Sequence, residues 1–125
     1  MTVSSPRVSV VDDDESVRES LPDLLSELGF TVEAFSSAEE FLASAPIGRT
    51  QCLILDVSMP GMTGPELQRE LSLRGSQIPI IFITAHADDT VRPTLLEQGA
   101  AECLFKPFSE TALLDALRTA LGRPT

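Results

Sequence analysis

What most constrains the fold of this chain is a fivefold alternation. Short apolar runs of strand character take turns with segments whose apolar residues recur at helical spacing. "RVSVV" (7–11) is a β-branched run that stops at three aspartates. Residues 15–28 then place Val17, Leu21, Leu24, Leu25 and Leu28 on one helical stripe, with Gly29 as the stop. "FTVEAF" (30–35) alternates like a strand, and "SSAEEFLASA" follows with Ser37 and Glu40 at capping-box spacing. "CLILD" (52–56) has the pattern of a buried strand; after it, Pro65 suits a first helical turn and Leu67 and Leu71 share a face. "IPIIFIT" (78–84) predicts a fourth strand, and a weaker helix covers about 89–98 before Gly99. "AECLF" predicts a fifth strand, and "SETALLDALRTALG" a helix capped by Ser109 and stopped by Gly122.

Nearly continuous apolar strands alternating with amphipathic helices require a parallel sheet covered on both faces. Two prolines disturb the helical segments. Pro22 sits mid-helix, where the missing N–H costs about 3 kcal/mol relative to a good helix former and predicts a kink. Pro93 predicts a fourth helix that is short or irregular.

The length of 125 residues fits one domain, expected over 1–125 with a core from about 7 to 121. The longest apolar run, "IPIIFITA", is far too short to cross a bilayer. The opening "MTVSSPRVSV" lacks the features of a signal peptide. Cys52 and Cys103 lie in apolar runs and do not make a disulfide framework, so reduced thiols and a cytoplasmic location are expected. The net charge of −10 argues against direct nucleic-acid binding by this segment. It leaves two readings: a solvated acidic surface, or acids that converge on a cation.

The strand ends favour the second. In open α/β sheets, ligands bind beyond the carboxyl ends of the strands. Strand one ends in Asp12, Asp13 and Asp14, strand three in Asp56, strand four in Thr84 and strand five in Lys106. Lys106 is the one lysine among nine cationic side chains. Each residue alone has an ordinary explanation; Asp14 is expected merely to cap the next helix. Together they form a rim with a chemical logic. Clustered carboxylates repel by about 4 kcal/mol per pair at 4 Å and an effective dielectric near 20. A cation relieves this, and oxygen-only ligation with room for water suits Mg²⁺. A carboxylate so shielded can attack phosphorus as a nucleophile. The phosphoryl oxygens then need a hydroxyl and a cation, parts that Thr84 and Lys106 fit.

The segments "VVDDDESVR", "LILDVSMPGMTGPEL", "IIFITAHAD" and "GAAECLFKPF" resemble the motifs of bacterial two-component response-regulator receiver domains, from about residue 7 to 121. The third-strand segment is most similar to regulators of the nitrogen-fixation type, which carry a LuxR-type DNA-binding domain after the receiver. The resemblance implies a flavodoxin-like (βα)5 doubly wound sandwich with a parallel sheet of order 2-1-3-4-5. It implies Asp56 as phosphoacceptor. Asp13, Asp56 and the Ser58 backbone carbonyl would ligate Mg²⁺, with Asp12 acting through metal-bound water and Mn²⁺ able to substitute. Thr84 and Lys106 would bind the phosphoryl group, Lys106 pairing with Asp56 beforehand, and the Lys106–Pro107 bond would be cis. Cys103 stands where relatives carry a switch aromatic. The resemblance implies that Ser58 and His86 flank the path of the hydrolytic water. The implied partners are a sensor histidine kinase or phosphotransfer protein, and a phosphorylation-promoted dimer through helix four, strand five and helix five. Phe105, at the same strand parity as Cys103, is expected to supply the aromatic contact there.

The implied function is a signalling switch that catalyses its own phosphorylation and dephosphorylation, not a metabolic enzyme. Two rival readings fit the residues less well. A Mg²⁺-dependent phosphohydrolase with Asp56 as nucleophile commonly has an acid two residues on, where this chain has Ser58. A degenerate interaction module would lack one of the acids, the threonine or the lysine, and all are present.

Overall fold

The computed structural model describes residues 6–44, 46–85 and 91–122. The elements run β1 (Arg7–Val11), α1 (Glu15–Glu27), β2 (Thr31–Phe35), α2 (Ala38–Ala43), β3 (Cys52–Asp56), α3 (Gly64–Leu73), β4 (Ile80–Thr84), α4 (Val91–Glu97), β5 (Glu102–Phe105) and α5 (Glu110–Ala120), with a 3-10 turn at Pro46–Arg49. All strand pairs are parallel, and the order is β2-β1-β3-β4-β5. This is the expected flavodoxin-like doubly wound sandwich.

The strands sort their side chains by parity, as the two-residue pleat requires. Val11, Leu53, Leu55, Ile80, Phe82 and Cys103 face one way, and Phe41, Leu67, Leu71 and Leu95 from α2, α3 and α4 cover them. Val8, Val10, Cys52, Ile54, Ile81 and Ile83 face the other way, under Leu21 and Leu25 of α1 and Leu113 and Leu117 of α5. The central strands β3 and β4 are buried at every position, which is why they read as unbroken apolar runs. Edge strand β2 buries only Phe35 fully, whose ring meets Phe41 edge-on at 5.4 Å.

Local signals behave as the chemistry dictates, with one difference. Asp14, Ser37, Thr63 and Ser109 each cap a helix with a side-chain oxygen. The box expected at Ser37 is only half made, because Glu40 accepts from the Ser36 N–H (2.6 Å) instead of reaching Ser37. The complete capping box lies at Thr63 and Glu66. Helix α1 continues through Pro22 to Glu27, since Leu21 and Leu25 anchor it on both sides of the proline. Helix α4, with Pro93 in its first turn, is short. Both cysteines are free and buried. Among the described residues, no helix is long and apolar enough to cross a membrane.

Candidate phosphoacceptor site

Strand order reverses between β1 and β3, and a crevice opens at such a switch point beyond the strand ends. The register carries Val11 opposite Leu55, so the next residues out, Asp12 and Asp56, emerge side by side. Asp56 in turn lies opposite Ile83, and Thr84 opposite Phe105, with the Lys106 N–H donating to the Thr84 carbonyl at 2.8 Å. Four residues read as rim residues in the sequence thus gather where three adjacent strands and β5 end.

Burial divides the acids by task. Asp12 is 0% exposed and Asp56 is 6% exposed, whereas Asp13 points to solvent. Oxygens from Asp12, Asp13 and Asp56 all lie within 4.8 Å of one another. Asp14 is drawn away, accepting from both the Ser16 hydroxyl (2.8 Å) and the Ser16 N–H (3.0 Å). Those two bonds hold its carboxyl below the usual range, in keeping with a cap.

Lys106 bonds to Asp12, Nζ to Oδ2 at 2.9 Å, and not to Asp56 as expected. The physical reason is that Asp12 has no solvent at all, so its charge must be paired within the protein. Burial works against the Lys106 charge, but the Asp12 hydrogen bond and the neighbouring carboxylates outweigh it and raise the ammonium's pKa. Asp56 is left without a direct cation. Burial, reinforced by the Asp12 charge and only partly offset by Lys106, raises its pKa from 3.8 to about 7. The Ser58 N–H approaches Asp56 Oδ1 at a long 3.4 Å. A divalent cation would reverse the penalty, and an all-oxygen set of three carboxylates fits Mg²⁺.

Thr84 is 2% exposed at the end of β4. The Lys106–Pro107 bond is cis, as expected. Cys103 is 3% exposed within the core beside Leu95 and Phe82, and Phe105 is half-buried. His86 lies outside the described residues.

Two supports escaped sequence reasoning. Arg18 donates from Nη1 to the Asp12 carbonyl at 2.9 Å, tying α1 to the loop that carries the acids. Gly64 packs so tightly behind the site that a Cβ there would stand 2.3 Å from the Asp56 carbonyl oxygen and 3.0 Å from the Phe82 ring. A glycine inside a Thr63–Glu66 capping box was the available signal, because a helix start gains nothing from glycine unless space forbids a side chain.

Comparison with known proteins agrees. The response regulator receiver domain family matches residues 8–118. Response regulator protein TodT of Pseudomonas putida is 46% identical over 120 residues, 94% of this chain and 53% of TodT. Transcriptional regulatory protein FixJ of Azorhizobium caulinodans is 44% identical over 117 residues, 93% of this chain and 55% of FixJ. The chain spans about half the length of these relatives. Among solved structures, response regulator StyR superposes with a TM-score of 0.87 at 49% identity, covering 95% of this chain and 60% of StyR. FixJ-N also superposes with a TM-score of 0.87, at 38% identity and 98% coverage of both chains. A match that runs from the first strand into the last helix, on a fold whose switch point gathers these carboxylates, makes this chain a member of the response regulator receiver domain family.

Proposed function

We propose that this domain is a phosphorylation-controlled switch in which Asp56 accepts a phosphoryl group from a phosphohistidine of a sensor kinase or phosphotransfer protein. The observation that carries the reading is the position of Asp56. It is nearly buried at the switch point, within ligand distance of Asp12 and Asp13, with Thr84 and Lys106 ending the next two strands.

An Asp56 oxygen attacks phosphorus in line with the donor imidazole. The new P–O bond forms as the P–N bond breaks. The released electron pair goes to the imidazole nitrogen, which takes a proton from solvent. Asp13, Asp56 and the Ser58 carbonyl would hold Mg²⁺, with Asp12 contributing through water. Bound there, the ion neutralises the carboxylates and the incoming phosphoryl oxygens. Thr84 donates its hydroxyl to the phosphoryl group, and Lys106 moves its ammonium from Asp12 to the new anion. Lysine suits this exchange, being a compact charge on a flexible stem. Ser58 and His86 would then tune how readily water removes the phosphoryl group. Conformational change would reach partners through α4, β5 and α5, and in a longer regulator it would control a transcriptional output.

The test is incubation with Mg²⁺ and acetyl phosphate, followed by intact mass spectrometry. A single labile phosphoryl addition is expected, and Asp56→Asn should abolish it. The same modification in that variant would remove Asp56 from its role.

A further inference from the structure

The loop between β3 and α3 carries Ser58, and its path is fixed at both ends. The Val57 N–H donates to the Ile83 carbonyl (3.0 Å), and the Gly64 N–H returns to the Val57 carbonyl (3.1 Å). Met59 drops into the core at 7% exposure. Beyond it, Pro60 and Gly61 lie exposed on the surface. This stretch meets a different element through Glu39, in the first turn of α2. Glu39 Oε2 accepts the Met62 N–H at 2.9 Å across 23 residues of sequence. The same oxygen would lie 2.8 Å from a Cβ on residue 61, and Gly61 has φ +77°. The left-handed backbone is what calls for glycine at this position.

We infer that Glu39 is a positioning residue of the metal site, clamping the β3–α3 loop from α2 so that the Ser58 carbonyl is held toward the carboxylate cluster. This rests on the proposed role of that carbonyl as a Mg²⁺ ligand. Glu39 touches neither metal nor phosphoryl group; it acts through the backbone from Gly61 and Met62. The Met62 N–H keeps its carboxyl below the usual range, so the acceptor is ionised and strong at neutral pH. Support of a ligand from outside its coordination sphere is a general requirement of metal sites, because an unsupported ligand must be ordered at the moment of binding.

Three variants separate reach from charge. Glu39→Ala removes the acceptor, Glu39→Asp keeps the charge but is one methylene too short, and Glu39→Gln keeps an oxygen at full reach. Mg²⁺ affinity is read from the metal dependence of the unfolding midpoint, and loop order from hydrogen exchange of the Met62 amide. Glu39→Ala and Glu39→Asp should weaken Mg²⁺ by about tenfold, the lower end for loss of such a support, and accelerate Met62 exchange. Glu39→Gln should stay close to wild type on both counts. Unchanged Mg²⁺ affinity in Glu39→Ala, with Met62 exchange accelerated, would overturn the inference while leaving the site intact. Equal weakening in Glu39→Gln would overturn it too, because long-range charge would then be the cause. Absence of Mg²⁺ binding by the wild type would instead bring down the metal site and this inference together.

Discussion

Replacing Asp56 with asparagine should make the metal-free domain more stable above neutral pH, although it alters a buried group in the centre of the site. The folded state raises the Asp56 pKa from 3.8 to about 7, chiefly through burial and then through the Asp12 charge. Between those values the folded domain holds a proton that the unfolded chain has released. The associated stability is complete below the unfolded pKa and is lost as pH rises through the folded one. At 1.36 kcal/mol per unit, the full shift corresponds to about 4 kcal/mol. Solvent at the rim screens it, leaving about 2 kcal/mol as the working figure. Asparagine carries no charge and escapes this loss. The assay is urea unfolding in chelator from about pH 4 to about pH 8, for both proteins. The wild type should lose stability across that window, and Asp56→Asn should lose about 2 kcal/mol less. Adding Mg²⁺ at a hundredfold over its Kd should return about 3 kcal/mol to the wild type and much less to the variant. A wild-type profile that is flat or rising in chelator, with Asp56→Asn no more stable at the alkaline end, would refute the electrostatic account of this site.

Gly64→Ala should cost roughly 1–3 kcal/mol from overpacking and impair phosphorylation by acetyl phosphate, because the new methyl must displace the Asp56 carbonyl or the Phe82 ring. Wild-type unfolding and wild-type phosphoryl yield in that variant would contradict the contact. Sedimentation of phosphorylated protein should show association weakened by Phe105→Ala and retained by Cys103→Ala, since Phe105 is half-buried at the end of β5 while Cys103 faces the core. The opposite ranking would assign the interface to the wrong residue.

The parts of this protein that depend on neighbours in sequence were legible without coordinates. Apolar runs, helical spacing and capping residues located the five strands and five helices of the described residues, because these signals act between neighbours in the chain. The gathering of candidate residues on one rim was legible for a related reason: Asp12, Asp13, Asp56, Thr84 and Lys106 each interrupt or follow an apolar run, and parallel strands in a doubly wound sheet all end on the same side. Where each side chain goes after leaving its strand was not legible. Lys106 chose Asp12, 94 residues away, over Asp56, because complete burial of Asp12 leaves it no other counter-charge, and burial is a property of the packed whole. The half-made cap at Glu40 was decided by competition with Ser36, a matter of fractions of an ångström that spacing cannot resolve. Glu39 was silent for the same reason, and Gly64 offered only the oddity of a glycine inside a capping box. Their meaning lies in an Asp56 carbonyl and a Met62 N–H brought against them by the crossovers. Periodicity and residue chemistry fixed which groups reach the rim; packing decided which of them touch.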